Sequence, residues 1–136
     1  MKHFDEFRVY YADTDAYGVV WHGTYLRWLE AGRIEYTNKV MGIDLTRLQE
    51  EGCLLPVVEL NIKYKRSAKL DDIVVLETEV DEIKSCSIRF KQTLRNKETN
   101  DVYIIGEVTC VALDTKTNRM MRRLPEAISK IQPVCV

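Results

Sequence analysis

Apolar residues recur at helical spacing through the first third of the chain. Tyr25, Trp28, Leu29, Gly32, Tyr36 and Val40 share one stripe, while Arg27, Glu30 and Arg33 lie on other faces. This pattern predicts one long amphipathic helix. Gly42 follows as a stop signal, since glycine accepts the left-handed conformation that ends helices. Gly32, with no side chain, lets the helix come close to whatever it packs on. A short helix from about Leu45 to Glu51 is expected next.

The rest of the chain alternates with a period of two. Phe4 to Tyr11 reads as a first strand, ahead of the helix. Val58, Leu60, Ile62 and Tyr64 alternate with Glu59, Asn61, Lys63 and Lys65. Val74, Leu76, Thr78 and Val80 alternate with Val75, Glu77, Glu79 and Asp81. Cys86, Ile88, Phe90 and Leu94 alternate with Ser87, Arg89, Lys91 and Arg95. Each pattern predicts a strand with one buried face. From Val102 to Leu113 the chain is apolar on both sides: Val102, Ile104, Val108 and Cys110 on one, Tyr103, Ile105, Val111 and Leu113 on the other. That suits a central strand or one buried by a partner. Turn residues separate the runs at Ser67–Asp72, Asn96–Asp101 and Asp114–Asn118. A last helix is expected to begin at Pro125. One long helix against one antiparallel sheet is an α+β layer arrangement.

The totals narrow the class. A chain of 136 residues is read as a single domain spanning 1–136. Its net charge of −1 argues against general nucleic-acid binding. No apolar run reaches the length of a membrane span. The start, Met-Lys-His-Phe-Asp-Glu-Phe, lacks an apolar signal core, so the cytoplasm is the expected location. Cys53, Cys86, Cys110 and Cys135 are too far apart for metal-ligand spacing, and Cys86 and Cys110 read as small buried hydrophobes within strands. With two histidines, a zinc site is not expected.

The segment Tyr11-Ala-Asp-Thr-Asp-Ala-Tyr-Gly-Val-Val-Trp-His-Gly-Thr-Tyr25 carries the candidate chemistry. It places Asp15 in a polar turn just before the long helix. A helix start offers free N–H groups and partial positive charge. A carboxylate beside it can attack, or activate water against, a carbonyl held by those N–H groups. On spacing alone, such an Asp reads as a cap or turn residue. Asp13 is the competing carboxylate, and its structural role would be to accept turn N–H groups. No nucleophile elbow, glycine-rich phosphate loop or cysteine in the polar turn offers a different chemistry.

The same segment resembles the active-site motif of the 4-hydroxybenzoyl-CoA thioesterase and YbgC-like acyl-CoA thioesterase family. The resemblance runs from about Phe4 to Pro125. It implies a hot-dog fold, in which an antiparallel sheet wraps one long helix. It also implies hydrolysis of acyl-CoA thioesters, with Asp15 as nucleophile or general base and the amide at His22 polarising the thioester carbonyl. Gly18 would let the thioester approach the backbone closely. Val19, Val20 and Trp21 are expected in the core or along a pocket, and Tyr25 and Trp28 pack in the core or meet substrate. The His22 ring is open to either a structural or a substrate-orienting role. Lys84, at a strand bend, falls where the family places cations for the nucleotide; Lys63, Lys65, Arg66, Arg89 and Lys91 are the other candidates. Glu59 is read as structural. No metal or redox cofactor is implied, coenzyme A being part of the substrate. A homodimer or homotetramer with the site at an interface is implied as well. Two other readings remain: a non-catalytic acyl-thioester or partner-binding module of the same fold, and a dehydratase acting on carrier-protein substrates. Retention of Asp15 and the glycine turn favours the thioesterase, and the His and Glu pairing of the dehydratases is not evident.

Overall fold

The computed structural model describes residues 1–131. Cys135 lies outside them. Strand β1 (Lys2–Arg8) leads through a 3₁₀ turn (Tyr11–Asp13) into helix α1 (His22–Lys39) and the short helix α2 (Leu45–Glu50). Strands β2 (Cys53–Leu54), β3 (Val57–Tyr64), β4 (Ile73–Ile83), β5 (Ser87–Asn96) and β6 (Val102–Val111) follow. Strands β7 (Leu113–Asp114) and β8 (Arg119–Met120) and helix α3 (Glu126–Ser129) complete the described chain. Five strands form one antiparallel sheet in the order β1-β4-β5-β6-β3. A small second sheet, β2-β7-β8, carries the Asp114–Asn118 turn and was not expected from the alternation. Among the described residues, none of the helices is long and apolar enough to cross a membrane.

Helix α1 packs along the sheet through the predicted stripe: Tyr25, Trp28, Leu29, Gly32 and Tyr36 are all buried. The closest approach is at Gly32. A Cβ there would run into Leu76 Cδ2 and lie 2.9 Å from Thr78 Oγ1 and 3.1 Å from Gln92 Nε2. Gln92, fully buried, donates through Nε2 to the Leu29 carbonyl at 2.8 Å and to Thr78 Oγ1 at 3.0 Å. Its Oε1 accepts from Arg33 Nη1 at 3.1 Å. The helix is thereby fixed to the sheet by a polar clasp as well as by apolar burial, and few of its buried polar groups are left unpaired.

The core divides along the helix. Around its start, Val9, Val20, Tyr25, Trp28 and Leu29 pack with Leu76, Leu94 and Ile104. Around its end, Tyr36 and Met41 pack with Phe90, Val108, Cys110 and Ile128. Helix α1 ends as expected, with Gly42 at a φ of 69°.

Three expectations need correction. Strand β1 ends at Arg8, because Val9 leaves the ladder to bond Asp72 across the β4 entry. Cys86 is exposed, since it lies in the β4–β5 bend and strand β5 begins only at Ser87. Strand β3 has no buried face: Val57, Val58, Leu60 and Tyr64 are all exposed. It is the outer edge of the sheet, where α1 leaves most of its apolar side uncovered and reaches it only around Ile62 and Tyr64.

Candidate active site

The polar turn ahead of α1 is built around Asp13. Its carboxylate is buried, accepting the Tyr10 N–H at 2.9 Å and Arg27 Nη2 at 2.7 Å. Its carbonyl accepts the Trp21 N–H at 2.9 Å and the Thr24 hydroxyl at 3.1 Å. Asp13 thus ties both ends of the turn to the first turn of α1, which is the structural role expected of it. Between those ends the chain folds back on itself. Asp15 N–H donates to the Val19 carbonyl, Thr14 pairs with Val20, and Gly18 takes the bend at a φ of 78°. Only glycine adopts that conformation at no steric cost.

Asp15 sits on this small hairpin, partly exposed. Its Oδ1 accepts the Tyr17 N–H at 2.8 Å, an Asx turn that orients the carboxylate. Its Oδ2 has no partner among the described residues. Asp15 is therefore held without being consumed by the fold, in contrast to Asp13.

Helix α1 begins without a side-chain cap. The capping position is Trp21, and no side-chain hydrogen bond closes the first turn. The Trp21 N–H is taken by Asp13 and the Thr24 N–H by the Trp21 carbonyl. The N–H groups of His22 and Gly23 have no acceptor among the described residues, and no helical partner is available to them. They point a pair of donors, with the helix dipole behind them, out of the helix start beside the Asp15 hairpin. Gly23 is needed here because the Trp21 indole lies over the first turn, where a Cβ would strike it. The His22 ring is exposed, 5.1 Å from the Trp21 ring.

The segment after β3 forms the opposite wall. Val20 N–H donates to the Ala68 carbonyl, Val19 pairs with Lys69, and Ala68 N–H donates to the Tyr25 hydroxyl at 2.9 Å. Burial pushes the Tyr25 hydroxyl pKa up; the Ala68 hydrogen bond opposes this, and the charges of Tyr64, Asp72 and Asp15 add to the rise. Tyr25 stays protonated near neutral pH, at the junction of the helix start, the wall and Asp15. Tyr25 and Trp28 are buried, and Val20 is in the core; Val19 is partly buried and Trp21 half-exposed.

Asp15, Gly18, Val19, Val20, His22 and Tyr25 thus gather in one place. Lys84 does not join them within the chain. It stands at the β4–β5 bend, while the site lies by the start of β4. Strand β4 has 11 residues, so the two are about 30 Å apart. Lys84 is 3.9 Å from Glu82, and Arg89 is bound by Asp81 and Glu82. Besides Arg27, which Asp13 holds, Lys65, Arg66 and Lys69 stand exposed on the site's own side, Arg66 3.5 Å from Asp101; the alternation did not single out Lys69, which its pairing with Val19 brings to the site.

A cavity of about 530 Å³ lies elsewhere along α1. It lies between the helix, α2 and the β2–β3 segment, and Arg33 opens onto it. Burial lowers the pKa of the Arg33 guanidinium, against the opposing influence of Cys110 and Glu30. The sequence signal for the clasp behind it was Gln92, a polar residue in register with buried Phe90 and Leu94.

The Thioesterase-like superfamily matches residues 2–133. The acyl-CoA thioesterase YbgC of Haemophilus influenzae is 42% identical over 106 residues, covering 78% of this chain and 78% of that protein. The acyl-CoA thioester hydrolase YbgC of Escherichia coli is 33% identical over 121 residues, covering 89% of this chain and 88% of that protein. Among solved structures, the DHNA-CoA thioesterase from Staphylococcus aureus superimposes with a TM-score of 0.83 at 27% identity, over 89% of this chain and 80% of that one. The antiparallel sheet wrapped around one long helix is the hot-dog architecture.

Proposed function

Because the chain belongs to the Thioesterase-like superfamily, we propose that it hydrolyses acyl-CoA thioesters to a free acid and coenzyme A, with Asp15 as the reacting carboxylate. The observation that carries this reading is the pairing of a held but unsaturated carboxylate with an uncapped helix start. The thioester carbonyl oxygen accepts the His22 and Gly23 N–H groups. These donors are worth most when the carbonyl becomes a tetrahedral oxyanion, so they lower the barrier more than they tighten substrate binding. Asp15 either attacks the thioester carbon or takes a proton from the attacking water. The C–S bond then breaks and the sulfur leaves as the coenzyme A thiol after taking a proton; with water as attacker the acyl group leaves directly as the acid, and with Asp15 as attacker water then hydrolyses the Asp15–acyl anhydride to give the acid and free Asp15. The exposed His22 ring is placed to orient substrate or pass that proton. Gly18 keeps the approach to the backbone open, and Val19, Val20 and Tyr25 form the floor.

The active assembly is a pair of chains joined edge to edge along β3. Strand β1, the other edge, is rich in charge: Lys2, Asp5, Glu6 and Arg8. Charge of that kind blunts an edge against pairing. Strand β3 instead exposes Val57, Val58, Leu60 and Tyr64 beside its unpaired backbone groups. A second copy lying antiparallel there takes up the unpaired backbone groups and roofs the apolar row, leaving the space between that row and α1. It also brings the partner's β4–β5 bend toward this chain's Asp15 end. Lys84 serves the nucleotide phosphates only in that way, across the pair, while Lys65, Arg66 and Lys69 serve them within the chain.

The test is release of thiol from acyl-CoAs of graded chain length. Turnover of at least one series is expected. Tight acyl-CoA binding without hydrolysis would replace the enzyme by an acyl-thioester-binding module.

A further inference from the structure

Arg33 is a partly buried cation with no acidic ion-pair partner among the described residues. Among the described residues its guanidinium makes one hydrogen bond, from Nη1 to Gln92 Oε1 at 3.1 Å. Guanidinium carries several further donors in a planar fork that fits a carboxylate. A buried charge left in this state is costly unless something completes it. Arg33 borders the 530 Å³ cavity, whose other walls include Leu55, Val57 and Phe90. Glu30 also borders the cavity but forms no ion pair with Arg33.

That cavity lies further along the same helix from the proposed site. Strand β3 pairs Val57 with Cys110, Leu60 with Val108 and Tyr64 with Ile104. Cys110, Val108 and Ile104 are buried under α1, so Val57, Leu60 and Tyr64 share the helix-facing side of the edge strand. Opposite them, Leu26, Glu30 and Ile34 follow one another at helical spacing on the exposed flank of α1. The two rows run beside each other toward the cavity, which Glu30, Ile34 and Val57 line together. One end of the rows meets Tyr64, whose ring is 5.8 Å from that of Tyr25 at the proposed site. The other end opens at Arg33. Eleven residues of helix separate His22 from Arg33, a rise of roughly 16 Å.

We propose that the space between these rows is a trough that holds the acyl chain, and that Arg33 selects chains ending in a carboxylate. The inference rests on the thioesterase reading above. With the thioester carbon at His22, a chain that spans the trough brings its far end to the guanidinium. A terminal carboxylate there completes the fork that Gln92 holds in place. A short diacid ends before reaching Arg33 and gains nothing from it.

The experiment compares kcat/KM for three thioesters: dodecanedioyl-CoA with a free terminal carboxylate, dodecanoyl-CoA, and succinyl-CoA. The wild-type protein is expected to favour dodecanedioyl over dodecanoyl by about tenfold or more, the worth of a charge-assisted bidentate contact. Arg33→Met is expected to reverse that preference, and Arg33→Lys to retain part of it. The ratio is read within each variant, so a general loss of activity cancels. If Arg33→Met does not fold, the wild-type ratio and Arg33→Lys decide the matter. Hydrolysis of dodecanoyl-CoA as fast as the diacid thioester would overturn the role of Arg33 and leave the thioesterase reading intact. The same holds for an unchanged ratio in Arg33→Met, or an equal preference for succinyl-CoA. Hydrolysis of none of the three, nor of any acyl-CoA in the graded series, would remove both.

Discussion

The Asp13 carboxylate and Arg27 Nη2 meet at 2.7 Å, joining the polar turn to the second turn of helix α1. Asp13 is almost fully buried and Arg27 largely exposed. The pair fixes where the Asp15 hairpin stands relative to the helix start. Asp13→Ala removes this contact and the acceptor of the Tyr10 N–H. The expected loss is about 1–3 kcal/mol of stability, seen as a lower urea midpoint. An unchanged midpoint would mean that the turn is held by its backbone bonds alone.

Gly32 sets the distance between helix and sheet. Gly32→Ala adds helix propensity of about 1 kcal/mol. It also forces a methyl against Leu76, Thr78 and Gln92, all fully buried. Overpacking of this kind costs about 1–3 kcal/mol and breaks the Gln92 clasp. A net fall in Tm is expected. A rise in Tm would show that the helix can lift from the sheet at no cost.

Burial raises the hydroxyl pKa of Tyr25, Tyr36 and Tyr103 in the folded protein. The unfolded chain therefore deprotonates first. Above about pH 10 it binds fewer protons than the native state, and stability falls as pH rises toward the folded pKa values. Below that range these groups contribute no slope. Tyr25→Phe should flatten the alkaline fall in the urea midpoint. It should also cost about 1–3 kcal/mol at neutral pH, because the Ala68 N–H loses its acceptor. Equal alkaline slopes for the two proteins would remove Tyr25 from the titration.

The exposed apolar edge of β3 predicts a dimer at micromolar concentration. Val58→Lys places a charge on that edge, at the bulge between Val57 and Glu59. Sedimentation is expected to show dimer for the wild type and a shift toward monomer for the variant. A monomeric wild type would contradict the pairing and, with it, the route by which Lys84 reaches substrate.

Much of this architecture was legible in the chain. The helix stripe identified the apolar buried positions of α1, including the close approach at Gly32, but it ran on to Val40, past the helix end and only partly buried, and it left out buried Thr24 and Thr37. The alternation of Val74, Leu76, Thr78 and Val80 gave the inner face of β4. What it could not give was the difference between a strand beneath the helix and a strand beside it. Strand β3 has the same alternation as β4, yet its apolar side is open because it stands at the edge. Cys86 failed for a related reason, since a period of two continues through a tight bend without marking it. At the site, the motif located Asp15, Gly18 and His22 together because they are close in sequence. Lys84 is distant in sequence, and only the direction of β4 shows which end of the sheet it occupies. The clasp of Arg33, Gln92 and Thr78 spans three elements and leaves no periodic trace beyond a glutamine in a buried register.

The most direct test of the account is steady-state hydrolysis of a turned-over acyl-CoA by Asp15→Asn, with its urea midpoint measured alongside. Among the described residues the carboxylate makes one hydrogen bond, to the Tyr17 N–H, and an asparagine oxygen can accept it as well. The account predicts a fall in kcat of about 10²-fold or more with the midpoint nearly unchanged. Near-normal turnover by Asp15→Asn would contradict it and leave the hairpin carboxylate a turn residue.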